Sequence, residues 1–169
     1  MFSPDTLFKK AQQSKFNKWI LNLALNRMIP FNKPHGFRVL EISDQEVKTL
    51  IPYKKTNFNH IKGLHATALA TLSEFTTGLM LLNVLGTKNY RIILQRLDIE
   101  YHYQGKMDAT AKFKVSNEWL EENIYRPLEH QDSVTAPCRV MIHDLQGNQL
   151  TTATIYWQLK RWEKVKTKV

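Results

Sequence analysis

Between Lys62 and Lys88 the chain carries a single formal charge, Glu74, in the middle of a long apolar and small-residue run from His65 to Leu85. A carboxylate in such a stretch loses hydration unless a partner or a water pocket compensates, and desolvation favours its protonated form. The segment leading in, Asn57-Phe-Asn59-His60-Ile-Lys-Gly63-Leu-His65, is rich in turn formers and polar side chains. Together the two stretches have the character of a site.

Helical geometry sharpens that reading. At about 100° per residue, Glu74 lies roughly 180° around a helix from His65 and about 13 Å further along it. The two side chains cannot meet within one copy. Thr67, Ala70, Thr71, Thr77, Gly78 and Leu81 share the face of Glu74, and most are small or hydroxylated. Ala68, Leu69, Leu72, Phe75, Leu79 and Leu82 form a bulky stripe expected to pack on a sheet. The small-residue face leaves room for a ligand or a second copy of the helix. Cooperation between His65 and Glu74 therefore calls for two chains related by a two-fold axis.

A chain of 169 residues, 43% of them hydrophobic, suits one globular core. Its formal net charge of +9 points to anionic partners: nucleic acid, a membrane surface or a phosphorylated small molecule such as coenzyme A. The basic residues are scattered outside the tail from Lys160 to Lys168, and no nucleic-acid motif accompanies them, so no nucleic-acid partner is expected. Cys138 is the only cysteine, which excludes an intrachain disulfide and makes a buried thiol in a reducing compartment the expectation. Asn22, Asn26 and Arg27 interrupt the N-terminal apolar stretch, against a signal peptide. Glu74, five Ser or Thr residues and Asn83 argue that residues 64–85 form a buried helix rather than an inserted membrane span. A cytoplasmic protein is expected. The six histidines show no metal-binding spacing, so neither metal nor cofactor is expected, and Glu121-Glu122 reads as a solvated pair.

Along the chain, Ser3-Pro4 is a helix start, and Leu7, Phe8, Ala11, Phe16, Trp19, Ile20 and Leu23 recur at helical spacing up to Met28. Such a basic, aromatic helix suits either a membrane surface or the domain; packing of Phe16, Trp19, Ile20 and Leu23 on the domain is the expectation. Two strands follow, over 37–42 and 46–52. After the apolar helix come runs over 90–103 and 109–115, then a hairpin over 133–162 turning at Gln146-Gly147-Asn148. Residues 117–132 are charged and partly helical. The division expected is an N-terminal helical segment, 1–33, and a main domain, 34–169. The order fits one central helix wrapped by an antiparallel sheet, an α+β architecture.

That order, with Asn59-His-Ile-Lys-Gly63-Leu-His65-Ala66 running into Leu72-Ser-Glu74, resembles the hotdog-fold thioesterases of the PaaI-like group. The string His-Ala-x-Ala-x-x-x-Leu-x-Glu is similar to a branch catalogued as a domain of unknown function. Ala66-Thr67 stands where the group has Gly-Gly, and Glu74 where Asp is frequent. The resemblance implies a homodimer or homotetramer whose active sites form at the dimer interface. It implies an acyl-CoA thioesterase with Glu74 as general base or nucleophile, the Ala66 N–H as oxyanion donor, and Asn59 and His65 positioning water or the acyl carbonyl. Gly63, Lys62, Thr67 and Thr71 would touch substrate, with Lys62 first in line for the phosphates of coenzyme A and Arg96 and Lys106 behind it. Two other readings stay open: a non-catalytic acyl-CoA or lipid-binding protein, and a dehydratase or hydratase, whose His-Phe-Pro signature is absent.

Overall fold

The computed structural model describes residues 4–166. Helices α1 (Pro4–Gln13) and α2 (Lys15–Met28) lead into strands β1 (Arg38–Ile42) and β2 (Glu46–Ile51). The long helix α3 (Ala66–Leu85) precedes β3 (Tyr90–Tyr101) and β4 (Ala109–Lys114). The hairpin β5 (Ser133–Asp144) and β6 (Gln149–Arg161) closes the sheet. Its order is β1-β2-β4-β5-β6-β3, antiparallel throughout. Ser3, read as the first helix cap, lies outside the described residues.

The sheet curls around α3 because of what its inner face carries. Ala109, Ala111, Ala136 and Ala153 are almost wholly buried there, small enough to let a helix sit close. Leu72, Met80 and Leu81 from α3 and Ile142, Ile155 and Leu159 from the sheet fill the rest, each burial contributing about 1.5–3 kcal/mol. The hydroxyls of α3 are satisfied along the helix itself. Ser73 donates to Leu69 O at 3.2 Å, Thr76 to Leu72 O at 2.6 Å and Thr77 to Ser73 O at 3.0 Å. Thr76 also meets Thr49 Oγ1 of β2 at 2.6 Å. A helix long and apolar enough to cross a membrane is thereby enclosed by its own sheet.

At the hairpin turn, Asp144 does the organising: its Oδ1 accepts from the N–H groups of Gln146 and Asn148, both at 2.9 Å, and Gly147 takes φ +87°. Residues 117–130 are helical, with a π turn at Glu121–Tyr125 joining the short helices α4 (Asn117–Leu120) and α5 (Arg126–His130). Glu121 and Glu122 are exposed, and Cys138 is fully buried in β5, where burial drives its thiol pKa far up. A thiol buried and held protonated in this way is a poor nucleophile.

The N-terminal helices require one correction. Phe16, Trp19 and Leu23 do not face the domain; they are 68%, 60% and 59% exposed, while Ile20 is partly buried. Instead α2 packs through Leu21 and Leu25, on the opposite side of the helix. The polar side chains decide this orientation. Asn22 accepts from the Val39 N–H at 2.6 Å and donates to Val39 O at 3.1 Å, mimicking a neighbouring strand. Lys18 donates to Leu40 O. Thus the β1 edge of the sheet is blocked, whereas the outer edge of the twelve-residue β3 has no partner among the described residues.

Candidate active site

The loop before α3 is built around asparagines, with separate jobs. Asn57 is buried, holding His35 (2.9 Å to Nδ1 and 2.9 Å to its carbonyl) and Pro52 O at 2.8 Å. Asn59, the residue singled out from sequence, accepts through Oδ1 from Ile61 N at 3.1 Å and Gly63 N at 2.9 Å. It shapes the turn. Lys62 takes φ +59°, and its carbonyl accepts from Tyr53 Oη at 2.5 Å; its side chain is exposed. Gly63 is buried beneath Gln104, whose Cγ would lie 2.8 Å from an added Cβ.

His65 is the N-cap of α3. Its Nδ1 accepts from the Thr67 N–H at 3.2 Å and lies 2.8 Å from Thr67 Oγ1. With Nδ1 accepting, a neutral ring carries its proton on Nε2 and keeps a donor available. Thr71 donates to Thr67 O at 2.8 Å, so both threonine hydroxyls have partners within the chain. Ala66 is exposed at the helix start, where the first N–H groups lack intrahelical acceptors. Its carbonyl accepts from Tyr101 Oη at 2.9 Å, which ties this end of α3 to the free β3 edge. Asn59, Ala66, Tyr101 and Gln104 line a groove of about 430 Å³.

Glu74 stands elsewhere. It lines a cavity of about 360 Å³ with Phe75, Gly78 and Leu82 of α3, Leu25 and Ile29 from the N-terminal segment, and Trp157 of β6. Burial raises the pKa of its carboxyl from the ordinary value. The carboxylate has neither an ion pair nor a hydrogen-bond donor among the described residues. The face of α3 expected to stay open is open only at its start. Ala66 and Thr67 are exposed and Ala70, Thr71 and Glu74 partly buried, but Thr77, Gly78 and Leu81 are closed over. Part of the bulky stripe, Phe75, Leu79 and Leu82, borders the cavity instead of meeting only the sheet.

Trp157 closes that end, and sequence reasoning missed it along with Leu25 and Ile29. A signal existed: glycine inside a helix, one turn beyond Glu74, marks a close approach. A Cβ on Gly78 would lie 2.7 Å from Trp157 Cζ2, and the indole is fixed by its N–H bond to Thr77 Oγ1 at 2.9 Å. Gly78→Ala should therefore destabilise the fold by about 1–3 kcal/mol despite alanine's better helix propensity, as read by thermal denaturation. A stability gain would mean that the indole moves aside without cost. Among the described residues no group of three His, Cys, Asp or Glu side chains is placed to hold a metal ion.

A family model described as a domain of unknown function, DUF4442, matches residues 17–159. The chain belongs to that family. No curated protein matches this DUF4442 chain. Among solved structures it is similar to a protein of unknown function from Pseudomonas aeruginosa, described as a probable thioesterase. That pair is 21% identical with a TM-score of 0.76, covering 85% of this chain and 95% of the other. It is also similar to a thioesterase from Haemophilus influenzae, at 10% identity and TM-score 0.68 over 89% and 95% of the two chains. A protein of unknown function from Chlorobaculum tepidum is 10% identical, with TM-score 0.71 over 94% and 96%. These likenesses establish the fold. The DUF4442 chain is a hotdog protein, with the sheet wrapped around α3 and extra helices at the N-terminus.

Proposed function

We propose that this protein hydrolyses an acyl-CoA thioester in a site shared between two protomers. The observation that carries the reading is Glu74, a carboxylate without a charge partner among the described residues, on the wall of an apolar cavity. Partial desolvation brings a carboxylate toward the basicity that water activation needs. The unpaired β3 edge supports the dimer, since a long bare edge invites a second copy of itself. Tyr101 holds the start of α3 beside that edge, so β3–β3 pairing brings two helix starts to one seam.

In this reading one protomer's Glu74 accepts a proton from water, whose oxygen attacks the thioester carbonyl of a chain seated in the cavity. The carbonyl oxygen becomes an oxyanion stabilised by the N–H of Ala66 at the partner's helix start and by Nε2–H of the partner's His65. As the C–S bond breaks, the proton held by Glu74 passes to the thiolate, releasing coenzyme A and a carboxylic acid. Asn59 keeps the loop in shape, and the exposed Lys62 offers charge to the phosphates of coenzyme A. Thr67 and Thr71 border the approach to Glu74. The buried, unpaired Cys138 is consistent with a cytoplasmic setting.

One observation favours a binding protein without turnover: Asn59 Oδ1 and His65 Nδ1 already have donors within their own chain. A panel of acyl-CoAs separates the two, with free thiol release and equilibrium binding measured on one preparation. Hydrolysis of apolar acyl chains is expected, with affinity for coenzyme A weakening as salt rises. Binding without thiol release would leave the carrier reading in place of the enzyme.

A further inference from the structure

We propose that α2 docks this protein on an anionic lipid surface. The helix carries two apolar stripes on opposite sides. Leu21 and Leu25 are buried against the domain, and the other stripe, Phe16, Trp19 and Leu23, is bare. Phe16 and Trp19 stack on each other at 6.1 Å, an aromatic pair in solvent. Met28 at the end of α2 and Phe31 just beyond it are also exposed, at 60% and 69%. An exposed apolar patch of this kind marks a contact surface.

Charge identifies the partner. From Lys9 to Arg38 the chain has seven Lys or Arg residues and no Asp or Glu. Lys9, Lys15, Arg27 and Lys33 are exposed and make no ion pair among the described residues. A second copy of so basic a segment would repel the first, whereas an anionic headgroup layer complements it. Aromatic and leucine side chains beside basic ones are the composition of a helix lying in the lipid interface. The core-facing stripe fixes α2 in the plane of the protein surface, so the bare stripe meets a bilayer side-on without insertion of α3. The exposed Phe31 also lines the Glu74 cavity. Lipid docking through α2 does not depend on thioester chemistry.

The test is co-sedimentation of the full chain with phosphatidylcholine vesicles, with and without phosphatidylglycerol. Binding is expected to the anionic vesicles alone and to weaken with salt. The triple variant Phe16→Ser, Trp19→Ser, Leu23→Ser should bind at least about tenfold more weakly with its melting temperature unchanged, because all three side chains lie outside the core. Replacing Lys9, Lys15, Arg27 and Lys33 with Gln should remove the preference for anionic vesicles. Undiminished binding by the triple variant, or equal binding to neutral vesicles, would overturn the proposal. So would failure to bind any vesicle together with a larger oligomer that the triple variant dissolves, which would assign the stripe to a second copy.

Discussion

Glu74→Gln should lower thioester turnover at least about 10²-fold while leaving the folded protein as stable as before or more so. The amide keeps size and shape but cannot take a proton from water. The stability half of the result follows from linkage. The folded protein holds the Glu74 proton to higher pH than the unfolded chain does, because burial raises its pKa from the ordinary carboxylate value. Across that window the folded state binds more protons, so stability declines as pH rises from the unfolded pKa through the raised folded one. Below the window wild type and variant should match; above it the variant, carrying no buried charge, should hold or gain. Denaturation measured across acid and neutral pH, alongside thiol release, reads both halves. A variant that is less stable at neutral pH would indicate a hidden ion pair. Full turnover in the variant would remove Glu74 from the chemistry.

The second large effect follows from the proposed sharing of the site between two chains. His65→Ser keeps an N-cap for α3, since serine is a strong cap, but removes the imidazole. We expect it, like Glu74→Gln, to be nearly inactive as a homodimer. Unfolding and refolding the two inactive proteins together should restore about a quarter of wild-type turnover. Half of a statistical mixture is heterodimer, and each heterodimer assembles one intact site of two. Recovery on mixing cannot arise if each chain supplies a whole site. Its absence, with heterodimers detected by mass, would place the chemistry within one protomer.

Much of this fold is legible in the sequence because the strands alternate cleanly and the turns use residues with special backbone needs. The run of buried positions from Ala136 to Ile142 and the glycine at 147 give the hairpin, and α3 ends at Gly86, where φ is +77°. The placement of Glu74 on a tight, apolar wall is legible for the same reason: one charge in a long uncharged run. What is not legible is which stripe of α2 turns inward. Both are apolar, and the choice falls to Asn22 and Lys18 reaching the backbone of β1, a long-range contact with no local signature. The buried hub at Asn57 is hidden similarly, and the cap role of His65 is one of two readings the sequence leaves open, because a polar residue before a helix reads alike whether it serves the backbone or a ligand. Trp157 lies eighty positions from the helix face it closes.

The cavity beside Glu74 takes one wall from α3 and another from Leu25 and Ile29, which belong to a separate stretch of chain. In the proposed function, the carboxylate and the residues that set the length of the chamber are thus encoded apart. Substitution at positions 25 and 29 can deepen or shorten the space without moving the helix that carries the carboxylate. If the proposed function holds, preference for different acyl chains can drift through the leading segment while the carboxylate behind it stays in place.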